Sequence, residues 1–136
     1  MSTELKNWTS RLPAEIAAAS KRVAELVHET PLLHSEFYSR MTGANVFLKC
    51  ENLQQTGSFK LRGATNKYLT IPEGHRDLLV TASTGNHGKA VAFVAKHYGT
   101  QCRIFAPAHS KVVKLDAIRR LGAEVELAGE DCVDAE

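Results

Sequence analysis

The sequence has 136 residues, room for one ordinary domain, and its 43% hydrophobic and 24% charged residues argue against disorder. A net charge of +2 is too small to point to nucleic acid or a membrane surface, and no apolar run approaches the roughly 20 residues of a membrane helix. Cys50, Cys102 and Cys132 are odd in number and form no C-x-x-C, so neither a disulfide framework nor a zinc site is indicated; a reducing, cytoplasmic setting is expected.

The N-terminal stretch is polar, without an apolar signal core, and runs into a predicted helix. Ile16, Ala19, Val23, Ala24 and Val27 recur at spacings of three and four, the mark of one apolar stripe, and Thr30-Pro31 is expected to end it. Asn45–Cys50 is short, apolar and rich in strand formers, hence a strand. A polar loop, 51–57, follows; Ser58 is the expected N-cap of a helix over about Phe59–Leu69. Ile71-Pro-Glu-Gly74 is a turn. Leu78–Ala82 is the second strand, and Asn86–Tyr98 a helix apolar nearly all round, hence buried, and closed by Gly99. Cys102–Ala106 is the third strand, stopped by Pro107. Val112–Leu121 is a helix with Leu115, Ile118 and Leu121 on one side and Gly122 as its stop. Ala123–Leu127 alternates like a fourth strand. Asp131 suits the N-cap of a further helix, so another structural unit is expected to begin where the sequence stops. From Glu124 onward there are six acidic residues and no Lys or Arg, read as a solvated terminus.

Alternation of strand and helix predicts an α/β fold, an open parallel sheet with flanking helices and right-handed crossovers. Ligands of such sheets bind beyond the carboxyl ends of the strands. Two loops are expected there, one leading to Lys60 and the other holding Ser83-Thr84-Gly85-Asn86-His87-Gly88. A lysine in the first turn of a helix is disfavoured by the helix dipole, and that field with partial burial is expected to lower the amine's pKa and make it a better nucleophile. The bland alternative is a surface lysine whose stem covers apolar area. The second loop offers successive N–H groups at a helix start, two glycines for close approach, the Asn86 amide and the hydroxyls of Ser83 and Thr84, which suit an anion. Its bland alternative is a turn and N-cap, and His87 alone is weak evidence. Walker A and G-x-G-x-x-G spacings, a G-x-S-x-G elbow and an H-E-x-x-H pair are all absent, so no protein-held metal is expected.

Taken together, Thr30-Pro-Leu-Leu33, Phe47-Leu-Lys-Cys-Glu-Asn52, Thr56-Gly-Ser-Phe-Lys-Leu-Arg-Gly-Ala64, Ser83-Thr-Gly-Asn-His-Gly88, and Lys114-Leu followed by Leu121-Gly-Ala-Glu-Val125 resemble fold-type II pyridoxal-phosphate (PLP) enzymes, the threonine/serine dehydratase family. The similarity runs from about Pro31 to the C-terminus. It implies a fold like that of the tryptophan synthase β chain, here incomplete, with residues 1–136 the N-terminal part of a catalytic domain. It further implies Lys60 as the lysine joined to PLP and as base at the substrate Cα, Phe59 packed beside the cofactor, and Asn86 bonded to the pyridine hydroxyl oxygen. Ser83, Thr84, Gly85, Asn86 and His87 would receive the carboxylate of a small amino-acid substrate. The implied reaction is β-elimination of a hydroxy-amino acid such as threonine or serine to a 2-keto acid and ammonia.

Two departures qualify this. Thr84 stands where family racemases carry a serine that serves as second base; it keeps a hydroxyl, so racemisation stays open, and the same hexapeptide resembles dehydratases of hydroxyectoine utilisation. The family's glycine-rich phosphate loop is not in this sequence, so the 136 residues alone are expected to be a fragment that turns over poorly, with β-replacement and a non-catalytic module as the remaining alternatives. An incomplete sheet is expected to expose an apolar edge, which makes a homo-oligomer plausible.

Overall fold

The structure, a computed structural model, describes residues 3–135, the side chains of residues 3–8 and of Cys132 excepted. Helix α1 spans Thr3–Val23 and ends earlier than Thr30-Pro31 implies; Leu26 and Val27 then turn back to bond the Val23 carbonyl. Val23, Leu26 and Val27 are buried, whereas Ile16 is 57% exposed, so only the end of the apolar stripe meets the core. A strand β1 (Leu32–His34) and a helix α2 (Glu36–Thr42) follow. Neither is anticipated from the sequence. Their signals are local: the Ser35 hydroxyl accepts from the Tyr38 N–H, and Gly43 closes α2 at φ 70°, a left-handed cap that suits glycine.

Strand β2 (Phe47–Lys49) corrects the expected topology. It pairs antiparallel with β1, with Leu33 opposite Leu48, and is no part of the parallel sheet. The sheet itself has order β3-β4-β5 (Leu78–Ala82, Gln101–Ala106, Glu124–Leu127), all parallel, with Val80 opposite Arg103 and Ile104 opposite Val125. Between its strands lie α4 (Asn86–Tyr98) and α5 (Val112–Arg119). The alternation along β4 sorts its faces: Cys102, Ile104 and Ala106 are buried. Cys102 and Ile104 pack against Ala92 and Ala95 of α4, Ile118 of α5 and Ala123. On the opposite face Arg103 bonds Glu124 at 2.9 Å, and α6 (Cys132–Ala135) lies near Phe105 and Val80. Asp131 is a helix cap as anticipated, its Oδ1 accepting from the N–H groups of Val133 and Asp134 at 2.8 and 3.0 Å. The acidic tail is thus partly engaged rather than merely solvated.

Helix α3 (Lys60–Thr70) flanks α4 on the side away from α5. Leu61, Ala64 and Tyr68 bury against Ala90 and Val94 of α4 and against Val23, Leu26 and Val27. The Tyr68 and Tyr98 rings stack at 4.5 Å at the C-terminal ends of the two helices, and the Tyr68 hydroxyl lies 3.0 Å from that of Thr100. Near their starts, Gly63, Ala64 and His87 line one cavity. The helices are therefore parallel, and both begin at the same end of the pair. Among the described residues no helix is long and apolar enough to cross a membrane.

Candidate active site

The approach to Lys60 is held from several sides. A 3-10 turn over Glu51–Leu53 leads out of β2. Gly57 then takes φ 76°, a left-handed backbone that disfavours a side chain. Ser58 does not cap α3 as anticipated. Backbone near helical geometry already begins at Phe59 (φ −62°, ψ −15°), whose carbonyl takes the Arg62 N–H at 3.1 Å, and the Ser58 hydroxyl is buried without a partner. Lys60 is the first residue of α3 and exposed, its Nζ 4.8 Å from the centroid of the Phe59 ring, itself 60% exposed. Amine and aromatic face stand together in solvent-accessible space.

Beside them is an ion pair that sequence reading did not single out. Arg62 grips Glu51 with two parallel bonds, Nε to Oε2 at 2.9 Å and Nη2 to Oε1 at 2.8 Å. The Thr30 hydroxyl adds a bond to Oε1 at 2.6 Å. The Arg62 bonds, then that of Thr30, hold the Glu51 carboxyl at about 2 against the opposing pull of burial, and Glu51 in turn raises the Arg62 guanidinium. Gln54 pairs with both backbone groups of His28, at 3.1 and 2.8 Å, and Lys49 Nζ donates to the Thr30 carbonyl at 2.6 Å. The available signal was the run Lys49-Cys50-Glu51 set eleven positions before an arginine in the Lys60 motif.

The second loop prolongs the sheet before it turns. The Ser83 N–H bonds the Phe105 carbonyl at 2.9 Å; the Gly85 N–H then donates to the Ser83 hydroxyl at 3.2 Å, and the Lys89 N–H to the Gly85 carbonyl at 3.1 Å opens α4. No side chain caps α4, so its first-turn N–H groups are left for a ligand or water. Gly88 is required by space: a Cβ there would stand 2.9 Å from the Ser83 carbonyl oxygen and 3.3 Å from Ile118 Cδ1. Gly85 has nothing within 4 Å of its would-be Cβ, which leaves the loop's outer side open.

Of the five residues expected at a carboxylate, four divide between two cavities, and Ser83 lines neither. Thr84, Gly85 and Asn86 line one of about 380 Å³ with Lys89, Val113, Lys114 and Ala117. Its two lysines, unremarked in the sequence as charges, add to the positive end of α4. His87 lines a different cavity, of about 340 Å³, below α3 with Gly63, Lys67 and Val91. Lys60 and Asn86 head parallel neighbouring helices. Their place at a common end comes from helix packing, because the strand expected to deliver Lys60 lies outside the parallel sheet, and neither of these two cavities is lined by both.

These donors suit PLP in kind. A primary amine on a helix start can take a carbonyl carbon, Phe59 offers a flat apolar flank, Asn86 an amide donor, and the uncapped start of α4 with Lys89 and Lys114 a place for an anion. Among the described residues no group of three or more His, Cys, Asp or Glu is arranged to hold a metal.

Comparison with known proteins bears on this set. A family described as "Pyridoxal-phosphate dependent enzyme" matches residues 23–136. An L-threonine ammonia-lyase of Thermotoga maritima is 41% identical over 116 residues, and a serine racemase of Dictyostelium discoideum 39% over 112. These matches cover 85% and 82% of this chain but only 29% and 35% of the relatives. The crystal structure of the Dictyostelium serine racemase superposes with a TM-score of 0.80 at 38% identity, over 85% of this chain and 38% of that one. The chain thus spans about a third of the length of the proteins it matches.

Proposed function

This chain belongs to the pyridoxal-phosphate-dependent enzyme family, and we propose on that premise that it serves a lyase that converts a hydroxy-amino acid such as threonine or serine to a 2-keto acid and ammonia. The single observation that supports the reading is the parallel packing of α3 on α4, the two helices whose first residues are Lys60 and Asn86.

In this reading Lys60 would hold the cofactor through its amine and, when free, would take the proton from the substrate Cα. Phe59 would flank the cofactor ring, and Asn86 would donate to its hydroxyl oxygen. Ser83, Thr84, Gly85, Asn86 and His87 receive the substrate carboxylate and hold Cα–H toward Lys60. When bound, PLP supplies the electron sink for the negative charge left at Cα. The β-hydroxyl would leave with a proton as water, and hydrolysis of the resulting enamine would take a water back and yield the 2-keto acid and ammonia. The protein acts in the cytoplasm on small amino acids and self-associates, consistent with Leu78 and Val80 exposed on edge strand β3.

A second reading is favoured by one observation: serine racemase stands as near as threonine ammonia-lyase among the relatives. There the Thr84 hydroxyl serves on the face of Cα opposite Lys60. Incubation with PLP and L-threonine or L-serine decides, with 2-keto acid and D-amino acid both measured. Keto acid that depends on Lys60 supports the lyase; D-serine without keto acid supports the racemase; neither product, from protein that binds PLP, supports the non-catalytic module.

A further inference from the structure

We propose that Glu51 is a positioning residue for Lys60: through Arg62 it clamps shut the loop that presents the amine. The inference rests on the reading of Lys60 as the cofactor-binding group.

The geometry is that of a closed loop. Glu51 stands at the start of the segment and Arg62 two residues beyond Lys60, so their two-bond contact spans the whole of 51–62. Within that span Gln54 bonds both backbone groups of His28 and the Gln54 and Gly57 N–H groups close two turns, so the first half of the loop is tied down as well. Among the described residues the buried Thr56 and Ser58 hydroxyls find no partner, and Phe59 and Lys60 are exposed. For 58–60, the stretch that presents the amine, the side-chain restraint therefore comes from Gln54 on one side and Arg62 on the other. Glu51 is itself tied by Thr30, and Arg62 also donates to the His28 carbonyl at 3.2 Å, a group Gln54 grips from the loop side. Both ends of the loop thus fasten to 28–30, the segment that follows α1.

The arrangement also suits a charged pair functionally. The Glu51 side chain is 15% exposed and Arg62 38%, so the contact is shielded enough to be directional and open enough to form without burying a lone charge. Arg62 is two positions from Lys60 and hence on another face of α3, where it can fix the turn without occupying the amine's space. The carboxyl, held at about 2, stays ionised through the range in which an amine nucleophile works.

The test uses the chain without cofactor and compares wild type with Glu51→Gln and Arg62→Lys. Gln keeps the shape and a hydrogen bond but not the charge; Lys keeps the charge but not the fork. Two readouts are local: amide hydrogen exchange of 55–62 against β4, and the acetylation rate of Lys60 relative to Lys67 of the same helix. The expected result is exchange about tenfold faster in 55–62 with β4 unchanged, with a changed Lys60/Lys67 ratio in both variants. A uniform rise that includes β4, or an unchanged ratio in both, overturns the proposal. If Glu51→Gln does not fold, Arg62→Lys alone carries the decision. PLP titration of wild type is read separately. Absence of cofactor on Lys60 there sinks the functional reading, while exchange and acetylation still decide the clamp.

Discussion

Tyr68 and Tyr98 stack with ring centroids 4.5 Å apart and planes 17° from parallel. This contact pins the far ends of α3 and α4, and rigid helices carry the alignment to their starts, where Lys60 and Asn86 stand. Arg76 adds to it from above, its guanidinium carbon 5.1 Å from the Tyr68 ring centroid, while Nε bonds the Ile71 carbonyl at 2.7 Å. Tyr68→Ala is expected to cost about 3–5 kcal/mol in urea unfolding, through lost burial and packing. Tyr68→Phe, which loses only the bond to Thr100, is expected to cost about 1 kcal/mol.

Gly88→Ala tests the tight seat of the second loop. The added methyl must displace the Ser83 backbone, since the oxygen 2.9 Å away is not a flexible side-chain end. A loss of about 1–3 kcal/mol is expected, together with weaker binding of substrate carboxylate analogues by the PLP-loaded protein. Gly85→Ala, with open space around it, is expected to be milder in stability. Urea melts of the two variants check the order.

Acid stability should report Glu51. Its carboxyl lies below the ordinary 4.5, at about 2, because the folded state binds the ionised form to Arg62. The stabilisation is therefore full above about 4.5 and is lost as pH falls toward 2. Wild type is expected to lose stability over that interval more steeply than Glu51→Gln, and to exceed it by about 1–3 kcal/mol at neutral pH. Denaturant midpoints from pH 7 to pH 2.5 measure both.

Cys102 and Cys50 should differ in reactivity. Cys102 is buried between α4 and α5, and burial pushes its thiol up to about 11. Cys50 is half-buried on the loop after β2. Alkylation near pH 8 should modify Cys50 first and reach Cys102 only under denaturant, as mass spectrometry of timed digests would show.

The parts of the fold that were legible in the sequence are those whose local chemistry and tertiary fate agree. Leu78–Ala82 and Asn86–Tyr98 emerge at their expected bounds, with Gly99 left-handed at φ 70°. The parts that failed depend on partners distant in sequence. Nothing in Phe47–Lys49 announces that it pairs antiparallel with Leu32–His34, so strand character was recognised and sheet membership was not. Ser58 has the right chemistry for a cap, but the chain turns it inward before the helix begins. At the site, the family motifs marked Lys60 and the Ser83–His87 loop. The Glu51–Arg62 grip was overlooked although both residues lie in quoted motifs, because it joins a strand end to a helix turn that only the folded loop brings together.

The central claim is that the amine at the head of α3 is the one that takes the cofactor. Protein incubated with PLP, reduced with borohydride and digested should carry the reduced adduct on Lys60, and Lys60→Ala should lose the visible absorption band. A band that survives Lys60→Ala, or an adduct found on Lys67, Lys89 or Lys114 in place of Lys60, would contradict the account.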